Sequence, residues 1–188
     1  MTATRPARAT GPEVDAVRAD LVRILQNAHA GELAAAYAYR GHWRSLRRPA
    51  ERMEVARIES AEWHHRNEVF EHLAELGAAP RRRRELLMGA IGRFFGALCL
   101  IGGWFAPMYA AGRLEAINTI EYETARAAAE TLGLTDLVAD LDDMIAEEIR
   151  HEVWFGDRCR DHWLLPFAAA LFTWRPPQND AAPAPERA

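Results

Sequence analysis

The chain has 188 residues, 49% of them hydrophobic, which is enough for one domain with a sizeable core. Its net charge of −4 gives no reason to expect nucleic acid as a partner. All 23 basic residues are arginine, and the lack of lysine excludes a Walker-type phosphate loop, a lysine Schiff base and a pyridoxal enzyme. Cys99 and Cys159 form no CxxC pair, which fits a reducing compartment.

The two ends of the chain differ in composition from the middle. Residues 1–12 are small, polar and arginine-bearing, with no apolar stretch of the kind found in a secretory signal. Residues 176–188 are rich in proline and alanine. We therefore predict a disordered N-terminus over 1–12, one folded domain over 13–175 and a disordered tail over 176–188.

Four amphipathic stretches predict four long helices, and the fold class is all-α. In each stretch apolar residues recur every three or four positions along one face. Pro49 follows the first stretch, while Gly77 and Gly133 follow the second and third, as expected at helix ends. The predicted spans are about 13–46, 50–76, 113–132 and 135–159.

An apolar segment at about 86–111 separates the second and third predicted helices. It follows the basic run Arg81–Arg84 and contains five glycines and Pro107, which argue against one straight membrane-spanning helix. We predict an apolar hairpin that lies at a membrane interface, with arginines at the headgroups. A second apolar patch, residues 163–174, follows the fourth helix and is expected to join it.

The residues that point to a chemistry lie within the apolar stripes of the four helices. Two are Glu-x-x-His units, which place both side chains on one helix face. Two lone glutamates lie in the first and third helices. Buried, unpaired carboxylates cost several kcal/mol or more, so a merely polar core is disfavoured, whereas two divalent cations would balance four carboxylates. The predicted ligands are Glu32, Glu62, His65, Glu121, Glu148 and His151.

One Glu, one Glu-x-x-His, one Glu and one Glu-x-x-His on four helices is the ligand set of di-iron and di-manganese carboxylate bundles. Other residues near these positions are candidates for orienting the ligands. His29 and Tyr39 flank Glu32 on the first helix, and either is equally compatible with core packing. Glu147 and Arg150 flank Glu148, and they fit either a supporting role or a pair of surface charges.

The segment His29-Ala-Gly-Glu32, with Tyr39 and Gly41 after it, resembles the opening motif of the demethoxyubiquinone hydroxylases. These are membrane-associated di-iron monooxygenases of ubiquinone biosynthesis, and the resemblance covers about residues 26–157. It implies a ferritin-like four-helix bundle with an apolar interfacial hairpin, and it places the family's six ligands at the six positions above. Glu121 stands at the family's third-helix ligand, but Tyr122 stands where a second, adjacent glutamate is usual.

Three features depart from the family's pattern. The connection from the third to the fourth ligand helix is shorter than expected. The hairpin is longer and carries a Gly-Gly-Trp-Phe-Ala-Pro insert, and the C-terminal apolar region is truncated before the Pro/Ala tail. The family admits its quinone through the hairpin and the C-terminal elements, so these departures bear on the substrate more than on the fold or the metal.

The resemblance implies a monooxygenase that uses O2, an electron donor and two iron ions to hydroxylate a quinone-like lipid. Manganese is the alternative metal at such ligands. A cytoplasmic location is expected, peripheral to the inner face of a bacterial cell membrane; an oligomer is compatible with this picture. The alternatives are a ferroxidase or rubrerythrin-like peroxidase on the same scaffold, and a non-catalytic membrane adaptor with a structural metal. The lack of CxxC pairs weakens the rubrerythrin version.

Overall fold

The computed structural model describes residues 11–177, which form six α-helices and no β-strand. The prediction of an all-α protein is confirmed for this part of the chain. The helix from Phe105 begins eight residues before the predicted start at 113, because the end of the apolar segment is itself helical. The helices are α1 (Pro12–Ser45), α2 (Pro49–Glu75), α3 (Arg82–Cys99), α4 (Phe105–Leu132), α5 (Thr135–Cys159) and α6 (Leu165–Phe172).

Proline and glycine set the ends of the long helices. Pro49 stands at the start of α2, where its missing N–H has no intrahelical partner to lose. Gly77 follows α2 with a φ of 69°, and Gly133 ends α4 with a φ of 68°. Both values lie in the left-handed region that glycine adopts without strain. The short connections that result make α1 and α2, and likewise α4 and α5, antiparallel neighbours.

Among the four long helices, α1 contacts α2 and α4, and α5 contacts α4 and α2. α1 runs antiparallel to α4, because Tyr39 contacts Glu115 and Glu32 contacts Tyr122. Two apolar clusters occupy opposite ends of their shared interior. One includes Tyr39, Val55, Ile58, Met108, Tyr109, Phe155 and Trp174. The other includes Leu21, Leu25, Val69, Leu73, Tyr122, Leu141 and Met144.

α3 lies against the outer side of α1, and its glycines have a different role from the predicted one. A Cβ atom on Gly92 would lie 2.4 Å from the carbonyl oxygen of Ala34, and one on Gly96 would lie 2.7 Å from that of Tyr37. Only glycine permits backbones to approach so closely, so these residues allow packing and do not interrupt the helix. The break in the apolar segment comes after α3, at residues 100–104, where Gly103 has a φ of 72°.

The faces of α3 and α6 that point away from α1 remain apolar and exposed. Among the described residues, no helix is both long enough and apolar enough to cross a bilayer. The exposed large side chains on and beside these helices are Leu86, Leu87, Phe94, Phe95, Leu98, Leu100, Ile101, Trp163, Phe167, Leu171 and Phe172.

The described structure extends slightly beyond the predicted domain of 13–175. α1 begins at Pro12, and Pro176 lies against Gly156 on α5, with Pro177 beside it. The rest of the predicted N-terminal segment before residue 11, and the tail after residue 177, lie outside the described residues.

Candidate metal centre

Five of the six predicted ligands come together between the two apolar clusters. α1 contributes one of them, and α2 and α5 contribute a glutamate and a histidine each. Every one of the five is at most 2% exposed. They are Glu32, Glu62, His65, Glu148 and His151.

The sixth member of the cluster is Glu115, and the prediction of Glu121 for this place is corrected. Glu115 is 0% exposed and lies among the other five residues, whereas Glu121 is only half-buried and belongs to neither donor group described below. Six positions along an α-helix rotate a side chain by about 120° away from the starting face. Glu121 therefore lies on a different face of α4 from Glu115. Burial raises the pKa of Glu121, the Glu32 carboxylate raises it further, and Arg84 lowers it.

Two signals in the sequence identify Glu115. It precedes Tyr122 by seven residues, as Glu32 precedes Tyr39, and seven residues return a helix to nearly the same face. Its distance to Glu148 is 33 residues, close to the 30 residues between Glu32 and Glu62.

The six side chains form two groups of potential ligand atoms, and within each group these atoms lie within 4.8 Å of one another. Glu62 and Glu148 belong to both groups, which is the arrangement expected of carboxylates shared by two cations. The first group adds Glu32 and His65, and the second adds Glu115 and His151.

Two tyrosines hold the two unshared carboxylates through reciprocal contacts between α1 and α4. The Tyr122 hydroxyl donates to Glu32 Oε1, and the Tyr39 hydroxyl donates to Glu115 Oε1. Both tyrosines are almost fully buried. Each contact occupies one oxygen of its carboxylate and leaves Oε2 without a hydrogen-bond partner among the described residues.

Unpartnered buried polar atoms provide the test of whether the cluster suits a metal. Most buried polar atoms in proteins have a hydrogen-bond partner, because a buried atom without one costs about 1–3 kcal/mol. Here His65 Nδ1 is 3.1 Å from Glu148 Oε1, but the two do not meet hydrogen-bond geometry. Cations would satisfy the carboxylate oxygens, His65 Nδ1 and one ring nitrogen of His151 at once, so the residues fit a two-metal centre. The unpartnered atoms are Glu32 Oε2, both oxygens of Glu62 and of Glu148, Glu115 Oε2, His65 Nδ1 and both ring nitrogens of His151.

The electrostatics of the protein alone disfavour charge on these groups. Burial raises the pKa of Glu62 and of Glu115 well above the usual range, and the neighbouring carboxylates raise it further. Burial also raises the pKa of Glu148 to about 8 and lowers the pKa of His151 to about 4. Without cations Glu62, Glu115 and Glu148 therefore hold protons that a bound metal would displace.

His65 is oriented from its outer side by Glu147. Its Nε2 lies 3.0 Å from Glu147 Oε2, and Arg150 donates to Glu147 Oε1 at 2.9 Å. A proton on Nε2 leaves Nδ1, which faces Glu148, free to bind a metal. Among residues 11–177, neither ring nitrogen of His151 has a hydrogen-bond partner, and Ala61 stands before Glu62 where Glu147 stands before Glu148.

His29 lies beside the cluster in a network that reaches α3. Its Nδ1 is 2.8 Å from Glu85 Oε1, and Arg66 donates to Glu85 Oε2 at 2.6 Å. Burial lowers the pKa of His29, and the hydrogen bond with Glu85 offsets this only in part. The network ties α1, α2 and α3 together one helical turn from Glu32, and His29 belongs to neither donor group.

The donor set of carboxylates and imidazoles, without thiolate, suits Fe(II) or Mn(II) and is also compatible with Zn(II). Neither Cys99 nor Cys159 belongs to the cluster. Comparison of the chain with protein-family models, with curated proteins and with solved structures finds no match.

Proposed function

We propose that this chain is a ferritin-like di-metal protein in which α1, α2, α4 and α5 form the four-helix bundle. The observation that carries the proposal is the buried layer of four carboxylates and two imidazoles with unpartnered atoms facing one another. Such a layer between two apolar clusters is costly unless cations occupy it. The order of the six groups along the chain supports the same conclusion.

The residues divide into shared and single ligands in this proposal. Glu62 and Glu148 would be available to both metals, Glu32 and His65 would hold one of them, and Glu115 and His151 would hold the other. Tyr39 and Tyr122 keep one oxygen of each single carboxylate occupied, which favours binding through the other oxygen. A metal held by so few protein atoms would keep a position for a small molecule such as O2.

We propose that the function is O2-dependent hydroxylation of an apolar, quinone-like ring. Two bound irons would supply oxygen activation, with electrons from an external donor. The chain supplies a dry interior, since the two apolar clusters flank the centre on both sides. The hydroxylase assignment rests on the resemblance of the His29–Gly41 segment and on the fit of the donor set to iron.

The first experiment loads the purified full chain with Fe(II) under anaerobic conditions and measures bound iron per chain. We expect about two irons, because the donor groups form two overlapping sets. Glu115→Gln should lose at least one iron, whereas Glu121→Gln, the matched control on the same helix, should retain both. Equal iron loss in the two variants, or no iron in the unmodified chain, would contradict the proposed centre.

In a second experiment, the iron-loaded chain is mixed with O2, a chemical reductant and a short-chain methoxybenzoquinone that lacks the ring hydroxyl. We expect a hydroxylated ring by mass spectrometry, with the added oxygen atom derived from O2. Iron oxidation or peroxide consumption without an organic product would instead favour the ferroxidase or peroxidase. Iron that stays bound but never reacts with O2 would favour the adaptor with a structural metal.

We also propose that the exposed faces of α3 and α6 rest on an anionic membrane surface. Leu87, Phe94 and Phe167 project among many exposed apolar side chains, and exposed arginines at 81–83 stand at one end of α3. Arginine near an apolar face attracts anionic headgroups. On sedimentation with vesicles we expect binding to phosphatidylglycerol and little binding to phosphatidylcholine. Replacing Phe94 and Phe95 with serine should weaken it, and unchanged sedimentation of this variant would contradict the proposal.

A further inference from the structure

A C-terminal strap, defined here as residues 173–177, crosses the groove between α4 and α5. Trp174 is 8% exposed although it follows the last helix, and it joins the apolar cluster of Tyr109 and Phe155. The indole Nε1 donates to Glu152 Oε1 at 2.8 Å. The Tyr109 hydroxyl donates to the Trp174 carbonyl oxygen at 2.8 Å.

Two glycines make room for this strap. A Cβ atom on Gly112 of α4 would lie 2.5 Å from the Cη2 atom of the Trp174 indole. A Cβ atom on Gly156 of α5 would lie 3.0 Å from the Cβ atom of Pro176. The seat of the strap, meaning the surface of α4 and α5 beneath it, therefore exists because Gly112 and Gly156 have no side chains. The indole of Trp174 fills the space beside Gly112.

The seat lies close to one half of the candidate metal centre. Gly112 and Glu115 are three residues apart on α4, and His151 and Phe155 are four residues apart on α5, so each pair shares a helix face. Phe155 stacks on Tyr39 with ring centroids 5.8 Å apart, and the Tyr39 hydroxyl donates to Glu115. Trp174 and Phe155 both lie beside Gly112, so neighbouring side chains lead from Trp174 through Phe155 and Tyr39 to Glu115.

We propose that Trp174 is the gate of the metal centre, and that its indole occupies the place where a planar aromatic ring enters towards Glu115 and His151. The inference deepens the proposed function and rests on it for the presence of metal. Aromatic walls from Tyr109 and Phe155 suit a flat apolar ring. The strap is held chiefly by its indole and a few hydrogen bonds, and Thr173 stands at its start with a φ of 60°, which is strained for a β-branched residue.

The test follows removal of iron from the loaded full chain by 2,2′-bipyridine, a planar aromatic chelator whose iron complex is coloured. Trp174→Ala should accelerate removal roughly tenfold or more, because the seat is left open. Gly112→Ala should act in the same direction, because the added Cβ displaces the indole without deleting it. Trp163→Ala removes a tryptophan that is 72% exposed and should leave the rate unchanged.

A charged, non-planar chelator, EDTA, separates gating from general loosening of the structure. Selective acceleration with bipyridine supports the gate. Equal acceleration with both chelators, or no change in Trp174→Ala and Gly112→Ala, would overturn it while leaving the metal centre intact. An unmodified chain that binds no iron would remove the gate together with the proposed function.

Discussion

At the scale of single residues, two tyrosine hydroxyls limit how the unshared carboxylates can bind. Tyr122 and Tyr39 each hold one oxygen of Glu32 and Glu115. A carboxylate held in this way presents its second oxygen in a fixed direction, which lowers the conformational entropy lost on binding a metal. Because each of the two donor groups contains one carboxylate held by a tyrosine, Glu32 and Glu115 have similar surroundings.

The two histidines of the cluster, unlike the two unshared carboxylates, have different surroundings. Glu147 fixes the ring of His65, whereas Ala61 leaves no equivalent carboxylate for His151. Removal of a carboxylate behind a metal-binding histidine typically weakens metal affinity by about 10–100-fold. The position that includes His65 is therefore the one better prepared for metal, and the position nearer the strap is the looser one.

His42 provides a pH dependence that is separate from the metal centre. It is 2% exposed, its Nε2 has no hydrogen-bond partner among the described residues, and burial lowers its pKa to about 4. The unfolded chain binds a proton at this residue near pH 6.5, while the folded chain does not until about pH 4. Above pH 6.5, protonation of His42 therefore does not lower the free energy of unfolding. As the pH falls from 6.5 towards 4, the unfolded chain takes up the proton and the free energy of unfolding decreases.

We predict that His42→Phe removes this loss in the metal-free protein. The phenyl ring preserves the stacking on Phe155, where the ring centroids are 5.9 Å apart. Between pH 7 and pH 4 the variant should gain about 3 kcal/mol relative to the unmodified chain. Urea unfolding of both proteins at several pH values measures the difference. Parallel pH curves would show that His42 is not held neutral in the folded state.

At the scale of helices, α1 is the element on which the others assemble. It contacts α2, α3 and α4, and it supplies Glu32 and Tyr39 to the centre. Its contact with α3 depends on missing side chains on both helices, because a Cβ atom on Gly41 would lie 2.1 Å from the carbonyl oxygen of Gly96. A glycine elsewhere on α1, Gly31, has no neighbour within 4 Å of its would-be Cβ.

The two glycines of α1 give a matched prediction. Gly41→Ala should destabilise the protein by about 1–3 kcal/mol, because the methyl group forces α3 away from α1. Gly31→Ala should stabilise it by up to about 1 kcal/mol, because alanine favours the helix and meets nothing. Denaturant midpoints of the metal-free variants measure both effects. Stabilisation by both substitutions would be incompatible with α3 packing closely on α1.

At the scale of the whole molecule, the α1–α2 pair and the α4–α5 pair repeat one arrangement. Each contributes a glutamate, a tyrosine seven residues later, and a Glu-x-x-His unit on its second helix. The reciprocal tyrosine contacts between α1 and α4 relate the two pairs by an approximate two-fold rotation. α3 covers only the first pair and the strap covers only the second, so the surroundings of the two halves differ.

The sequence alone was enough for the helices and most of the cluster. Apolar periodicity is a local property, so the spans of α1, α2 and α5 were predicted within a few residues. Each Glu-x-x-His unit was predicted to present its glutamate and its histidine on the same side of its helix, because residues three apart share a helix face whatever the tertiary structure. Glu32 was found for a similar reason, since it lies in the middle of a clear apolar stripe.

The tertiary structure decided what depends on helix rotation and on contacts between distant segments. Glu115 and Glu121 both lie in an alanine-rich helix with apolar residues on several sides, so apolar periodicity did not fix which face is buried. Packing against α1 and α5 buries Glu115, which the spacing to Tyr122 also marks in the sequence. Glycines in the apolar segment predicted a break, which occurs at Gly103, whereas contact with α1 makes Gly92 and Gly96 a packing surface inside α3. The place of Trp174 depends on Gly112 and Phe155, which are far from it along the chain and adjacent only after folding.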